Sequence, residues 1–293
     1  LVSATSVTSL MLIRNWVSHD RRSAIDAIIK AARAVGSVPE NRAAIQVREL
    51  LLSERDGAGA QSIFASIKQG KKNALVSILI KQGHGVRDAW VASSLSRSEI
   101  EDMLDHIASE MSVHETTAED TALILSSALA DGPASSPPPF GLVQAITLIG
   151  LSDVASKFVS VDDLVASMLS DADAAVTDAK AVERAVRASG RWLATNPQLD
   201  SWFENGDDVA AAIKSKRKIE DRIAAIMERV LEPKRAYWAS VIAWSAFALR
   251  GDGHDSDWID MALVAREMAS ERPLTEIPLA RFIAVQTAEA AGT

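Results

Sequence analysis

The chain has 293 residues, of which 48% are hydrophobic and 24% are charged, and its formal net charge is -8. This composition is typical of a globular protein and excludes a disordered or collagen-like chain. The negative charge disfavours binding to nucleic acids and to anionic membranes. Because the chain has no cysteine, disulfides and thiolate metal sites are excluded, and His, Asp and Glu remain as candidate metal ligands.

Neither a secretion signal nor a membrane span is predicted. The segment from Leu1 to Leu12 has no basic residues and no small-residue cleavage pattern. The longest apolar run, from Ala236 to Leu249, is shorter than the roughly 20 residues that cross a bilayer. We therefore expect a cytoplasmic protein without membrane association, in which residues 236–249 form a buried core helix.

Apolar residues recur at helical spacing along much of the chain. The first clear set is Ile25, Ile28, Ile29, Ala32 and Val35, which follows the i, i+3, i+4, i+7 pattern of one helix face. Glycines stand where such runs end, as expected of left-handed helix C-caps. The pattern predicts an all-α protein of about a dozen helices, arranged as a HEAT-like solenoid or as an irregular helical bundle.

The tetrapeptide Ile-Lys-Gln-Gly occurs at residues 67–70 and again at residues 80–83. The two copies are too close for a repeat of two helices, which needs about 34 to 47 residues. We interpret them as the ends of two helices, because a lysine near a helix C-terminus is favoured by the helix dipole.

A candidate anion site follows the second copy. Its residues are Gly83, His84, Gly85 and Arg87. If a helix carrying Trp90 begins here, its free backbone N–H groups and the neighbouring arginine would bind an anion. Since no strand is predicted before these glycines, the segment matches neither a P-loop nor a dinucleotide-binding fingerprint. The alternative is that the glycines simply end helices.

A helix is predicted after Leu95, because Ser96 and Glu99 have the spacing of a capping box. Along this helix Asp102, His106, Glu110 and His114 follow one another at intervals of four residues. Neighbouring members of such a ladder lie on one helix face and could share a metal ion. The alternative is a solvated stripe of polar side chains, which is the commoner fate of such residues.

A proline-rich segment divides the chain. Residues 132–139 end with Pro137, Pro138 and Pro139, and three consecutive prolines cannot continue a helix. We therefore predict an N-terminal helical half at residues 1–131, a linker at 132–139 and a C-terminal half at 140–293. The C-terminal half holds five of the seven tryptophans, so its core is expected to be the better anchored.

A basic cluster is predicted on a long helix that begins near Asp207. Its members are Lys214, Lys216, Arg217, Lys218 and Arg222. Such a face could follow a phosphate backbone. However, Glu220 and Asp221 can form local ion pairs with it, and the net charge is negative, so a solvated helix face is the alternative.

No familiar catalytic signature occurs in the sequence. There is no G-x-S-x-G nucleophile elbow, and no cofactor is predicted. Our leading hypothesis is a non-enzymatic α-helical scaffold or adaptor that presents a groove to a protein partner. A metal-dependent hydrolase that uses the His/Glu/His ladder and a nucleic-acid-binding helical protein are the two alternatives. The sequence specifies neither the identity of the partner nor an oligomeric state.

Overall fold

The computed structural model describes residues 2–17, 19–35, 37–38, 44–133, 136–151, 154–170, 176–194, 196–252 and 257–291. Over these residues the chain forms seven strands and twelve α-helices. It divides into two compact units. The first unit holds Leu1–Leu52 and Gln61–Phe158, and the second holds Ser53–Ala60 and Val159–Thr293. The segment 132–139, predicted as a linker, lies inside the first unit, so the observed division falls at other positions.

A five-stranded sheet forms the centre of the first unit. Two short strands, β1 (Val2–Ser3) and β2 (Ser37–Val38), form a separate parallel pair. The strands of the main sheet are β3 (Ile45–Ser53), β4 (Ala60–Gln69), β5 (Lys72–Lys81), β6 (Gly85–Leu95) and β7 (Val113–Glu115). Their order across the sheet is β6-β5-β4-β3-β7. β3 pairs antiparallel with β4, and β5 pairs antiparallel with β6.

The prediction of an all-α solenoid or bundle is wrong, because residues 45–95 form four long strands. In β5 the residues from Ala74 to Ile78 are all buried, since helices cover both faces of the sheet. A strand buried on both faces gives a continuous apolar run, which periodicity cannot distinguish from a buried helix. The two Ile-Lys-Gln-Gly copies end β4 and β5, and Gly70 and Gly83 have positive φ angles, as tight hairpin turns require.

Five helices complete the first unit. They are α1 (Ala4–Trp16), α2 (His19–Val35), α3 (Arg97–Glu110), α4 (Ala118–Asp131) and α5 (Gly141–Ile149). α3 packs on one face of the sheet, where Ile100 and Leu104 join the cluster of Phe64 and Leu75. α4 and α5 contact β6.

The predicted capping box at the start of α3 is confirmed. The Glu99 amide donates to the Ser96 hydroxyl at 3.2 Å, and the Ser96 amide donates to the Glu99 carboxylate at 2.8 Å. These reciprocal bonds satisfy two donors that a helix start otherwise leaves exposed. The hydrogen bond from the Ser96 amide also holds the pKa of the Glu99 carboxyl below its ordinary value.

The second unit is helical. Its helices are α6 (Val161–Met168), α7 (Ala179–Ala188), α8 (Asp207–Ile213), α9 (Ile219–Ile226), α10 (Arg235–Leu249), α11 (Asp257–Ala269) and α12 (Pro278–Ala290). Short 3-10 turns at Ser189–Ala194 and Pro197–Ser201 lie between α7 and α8. The prediction of a buried core helix at 236–249 is confirmed, because every residue of α10 from Val241 to Ala248 is buried. Within the described part of the chain, no helix is long and apolar enough to cross a membrane.

Candidate functional site

The predicted metal ladder does not lie on one helix. Asp102, His106 and Glu110 are exposed on α3, which ends at Glu110. His114 lies beyond the helix, in β7, and only 8% of its surface is exposed. Among the residues that the structure describes, no group of three or more His, Asp or Glu side chains is placed to hold a metal ion.

The predicted anion site lies on a hairpin turn and not at the start of a helix. Gly83 and His84 belong to the turn between β5 and β6, and Arg87 is exposed on β6. The expectation of a helix that carries Trp90 is therefore wrong, and the N-terminal helix field assumed for this site does not exist. Moreover, the Gly83 amide donates to the Asp131 carboxylate, so an acidic group of the chain already uses one of the predicted donors.

The predicted basic helix is also divided. α8 ends at Ile213 and α9 begins at Ile219, so four of the five basic residues lie in the connection and not on one helix face. These four are Lys214, Lys216, Arg217 and Lys218. Arg222 lies on α9, and its Nε donates to the backbone carbonyl of Lys216 at 3.1 Å. This hydrogen bond gives Arg222 a structural role at the corner between the helices.

β6 is an edge strand, because its neighbour in the described sheet is β5 alone. In an antiparallel pair, the N–H and C=O groups of one residue both point toward the neighbouring strand, and those of the next residue both point away from it. Ala89 directs these groups away from β5: its amide donates to the Asp88 carboxylate at 2.9 Å, and a Cβ on Gly141 would lie 2.0 Å from its carbonyl oxygen. The same alternation turns the main-chain groups of Val91 and Ser93 outward. At Ala89 the Asp88 side chain and the start of α5 therefore cover the edge. The outward main-chain groups of Val91 and Ser93 have no hydrogen-bond partner among the described residues.

Exposed apolar side chains lie beside this edge. Trp90 is 40% exposed, and Phe140, at the start of α5, is 81% exposed. The start of α5 approaches the main chain of β6 here, because a Cβ on Gly141 would lie 3.8 Å from the backbone nitrogen of Trp90. Leu79 is 36% exposed and lies opposite Asp88, on the same face of the sheet as Trp90. Aromatic side chains contribute disproportionately to binding at protein interfaces, so we take this edge and its aromatic residues as the candidate site.

A second group of polar contacts holds Ser53–Ala60, here called the anchor loop, within the helical unit. Glu54 and Arg55 are only 3% and 5% exposed. The Glu54 carboxylate accepts a hydrogen bond from Asn196 Nδ2 at 3.0 Å, and the Arg55 guanidinium lies 5.4 Å from the ring centroid of Trp244. Buried charged groups are tolerated when they are hydrogen-bonded and paired, so these contacts explain how the loop is buried.

The main chain of the anchor loop is also hydrogen-bonded to the helical unit. The Arg55 amide donates to Ser245 Oγ at 3.0 Å, and the Arg55 carbonyl accepts from Trp202 Nε1 at 3.0 Å. The Gly57 amide donates to Ser201 Oγ at 3.2 Å. A Cβ on Gly57 would lie 2.0 Å from the Ser201 carbonyl oxygen, so this approach requires glycine. The loop is therefore a structural part of the helical unit.

Tyr237 also binds the anchor loop by a hydrogen bond. Its hydroxyl donates to the Gly57 carbonyl oxygen at 2.9 Å. Burial raises the pKa of this hydroxyl to about 12, and the charges of Glu204 and Asp56 act in the same direction. Since ionisation would remove the donor, the protonated form is the one that stabilises the loop.

We expect Tyr237, the single tyrosine of the chain, to ionise near pH 12 in the folded protein. Because the folded pKa lies above the ordinary value of 10.0, the contribution of Tyr237 is complete below pH 10 and is lost as the pH rises through 12. After allowance for the partial exposure of the ring, the loss is about 1 kcal/mol. Tyrosinate absorbance in the near ultraviolet measures the pKa directly.

Tyr237→Phe is the control for this titration. The stability difference between the native protein and this variant is expected to shrink between pH 10 and pH 12. An absorbance midpoint at the ordinary tyrosine pKa would contradict the prediction, because it would mean that the hydroxyl is neither buried nor hydrogen-bonded.

Comparison with known proteins gives two partial matches to family models. A model described as the Y4lR C-terminal helical domain matches residues 162–292, and one described as the Y4lR second domain matches residues 1–36. No solved structure matches the chain. The chain is 30% identical over 296 residues to a protein of Sinorhizobium fredii (strain NBRC 101917 / NGR234) described as uncharacterized protein y4lR. This match covers 97% of the chain and 55% of that protein, so the chain spans about half the length of a relative whose description names no activity.

Proposed function

We propose that this chain is a non-enzymatic protein-binding module that pairs with an extended segment of a partner protein along the β6 edge. The observation that supports the proposal is the outward direction of the main-chain groups of Val91 and Ser93, next to exposed Trp90 and Phe140. Addition of a strand to an exposed sheet edge is a recurring mode of peptide recognition. Main-chain hydrogen bonds supply affinity, and side-chain contacts supply specificity.

The proposed partner segment has a definite chemistry. It is extended, because only an extended backbone can match the hydrogen-bond spacing of a strand. One of its apolar side chains lies against Trp90 and Leu79, on the face of the sheet where these residues are exposed. The proposal keeps the protein partner expected from the sequence, but replaces a groove between helices by a sheet edge. It also keeps the expected cytoplasmic location, which fractionation of native cells would test.

The test is site-specific photo-crosslinking in a native lysate. A photoreactive phenylalanine analogue replaces Ser93, which lies on the open part of the edge. The matched control position is Glu101, which is exposed on α3. We expect Ser93 to crosslink to one protein at least about tenfold more than Glu101 does. Peptide mapping of the crosslinked partner should identify an extended, partly apolar segment.

A second variant tests whether main-chain pairing is responsible. Val91→Pro removes an outward N–H, which an edge strand tolerates, and it should reduce crosslinking about tenfold or more. Val91→Thr keeps the N–H and should crosslink as the native side chain does. Equal crosslinking by the two variants would refute strand addition. A crosslink between two copies of this chain would show self-association and would replace the partner protein in the proposal.

A further inference from the structure

A cavity of about 360 Å³ lies within the first unit at the start of β6, and its lining does not include Trp90, Val91, Ser93 or Phe140. Its volume falls in the range of small-molecule sites, about 300 to 1,000 Å³. Three parts of the fold meet around it. They are the junction of α1 and α2, the turn before β6, and the end of α4 with the proline-rich segment that follows. The cavity is distinct from the surface proposed to bind protein, and the inference below does not rest on that proposal.

Gly85 allows the turn before β6 to reach the end of α4. It has a φ of 71°, and a Cβ here would lie 2.9 Å from the Ala128 carbonyl oxygen and from Gly132 Cα. Because these neighbours are backbone atoms, a larger residue could not be accommodated by moving a side chain. The close approach places His84 and Val86 in the wall of the cavity.

Hydrogen-bond donors are concentrated in the wall formed by α1 and α2. Trp16 lines the cavity, and its indole Nε1 is buried with no acceptor among the described residues. Buried indole N–H groups normally have an acceptor. Arg22 also lines the cavity. Its Nε donates to the Val17 carbonyl at 3.3 Å, and its two terminal amino groups have no hydrogen bond to the described residues.

The charge of the lining is positive. Arg22 carries this charge, and the described lining contains no carboxylate. The nearby Asp26 carboxylate is bound by Arg14, whose hydrogen bond lowers its pKa. Asp131 accepts the Gly83 amide on the other side of the turn. Arg14 forms the hydrogen bonds to the Asp26 carboxylate, and Arg22 also lowers the pKa of Asp26 by its charge without a hydrogen bond to it among the described residues.

Other parts of the wall are apolar, although Ser136 and Ser156 also line the cavity. Pro137 and Pro138 line one side, and Val17 and Val86 line others, together with the ring of Trp16. Apolar walls with a few convergent polar groups are characteristic of sites that orient a small organic molecule. The apolar part of such a ligand would contact the prolines and valines, and its polar end would meet the donors.

We propose that this cavity binds a small organic anion, in which one carboxylate or phosphate group is attached to an apolar ring or short chain. The guanidinium of Arg22 binds the anionic group through paired N–H donors, a geometry that suits both carboxylate and phosphate. Trp16 Nε1 supplies a further donor, and the prolines and valines contact the apolar part. Of the predicted anion-binding segment, His84 and Gly85 line this cavity. The arginine beside them is Arg22, which the sequence did not associate with this segment.

The experiment measures binding of three probes to the full chain by ligand-observed NMR and calorimetry. The probes are benzoate, phenyl phosphate and benzyl alcohol, which share a ring and differ in charge. Ligands of this size bind in the millimolar range, so titration to about 10 mM is appropriate. We expect saturable binding of one or both anions. Whichever binds more tightly identifies the anionic group, and benzyl alcohol should bind at least about tenfold more weakly.

Variants of the cavity provide the decisive comparison. Arg22→Gln should weaken anion binding by about tenfold to a hundredfold. Trp16→Phe, which keeps a ring but removes the N–H, should weaken it by about threefold to tenfold. Arg21→Gln is the matched control, because Arg21 is exposed on the same helix and is not part of the lining. This variant should bind as the native chain does.

Three results would overturn the proposal. The first is no saturable binding of either anion. The second is equal binding of benzyl alcohol, and the third is unchanged affinity in Arg22→Gln. Arg22→Lys guards against a folding artefact, because it keeps the charge but loses the planar pair of donors. It should retain part of the affinity, and circular dichroism of each variant verifies the fold.

Discussion

Replacing Gly57 with alanine is expected to lower the free energy of unfolding of the helical unit by about 3 kcal/mol. The new Cβ would lie 2.0 Å from the Ser201 carbonyl oxygen and 2.9 Å from Trp202 Cα. Neither atom can move without moving a backbone. Displacement of the loop would also break the hydrogen bonds of Gly57 with Ser201 Oγ and the Tyr237 hydroxyl, each worth about 1 kcal/mol.

Gly206→Ala is the matched control in the same unit. Its Cβ would lie 3.0 Å from Asp208 Oδ1, a side-chain atom, so a shift of a few tenths of an ångström relieves the contact while the Asp208 carboxylate keeps its contacts with Lys234 and the Val209 amide. We therefore expect a change within about 0.5 kcal/mol. Denaturant unfolding and hydrogen exchange of the helical unit measure both variants. Equal midpoints for Gly57→Ala and Gly206→Ala would mean that the anchor loop is not packed as described.

Features set by neighbouring residues could be predicted from the sequence. The start of α3 depends on Ser96 and Glu99, which are three residues apart, and both hydrogen bonds of the capping box form. α10 could be predicted because apolar residues surround it on all sides. In both cases the information lies within one or two helical turns, so tertiary packing did not need to be known.

The sheet could not be predicted in the same way, because its pairing joins distant residues. Leu52 pairs with Ile63, and Ile78 pairs with Ala89. Helices on both faces remove the alternation that marks a half-buried strand, and residues such as Ala, Leu, Lys and Gln favour helices when judged alone. The spacing of Gly70 and Gly83 was the available signal. The interval between these two glycines is too short for a pair of helices, and it fits one strand followed by a turn.

The candidate sites depend even more on tertiary contacts. The approach of Gly141 to Ala89 joins a helix start to a strand about 50 residues earlier, and no local pattern encodes it. The anchor loop is more extreme, since Arg55 contacts Ser245, 190 residues away. The sequence shows adjacent charges beside glycines, a pattern that equally suits an exposed turn.

Trp202→Ala is expected to destabilise the helical unit by about 4 kcal/mol or more. Trp202 is fully buried, and its ring centroid lies 6.1 Å from that of Trp238. Truncation of a buried tryptophan leaves a cavity that costs about 3 to 5 kcal/mol. It also removes the Nε1 donor from the Arg55 carbonyl, which adds to the loss. Denaturant unfolding, followed by far-ultraviolet circular dichroism, measures the change.

Trp202→Phe separates the two contributions, because it keeps a ring in the core and removes only the indole and its donor. The Arg55 carbonyl would still accept from Ser245 Oγ, at 3.3 Å, so we expect a loss of about 2 kcal/mol. In this variant hydrogen exchange should increase at Arg55 and Gly57 more than in α12, since the lost bond holds the anchor loop. If Trp202→Phe were as destabilising as Trp202→Ala, the hydrogen bond would outweigh the packing. If neither variant were destabilised, Trp202 would not be part of the core.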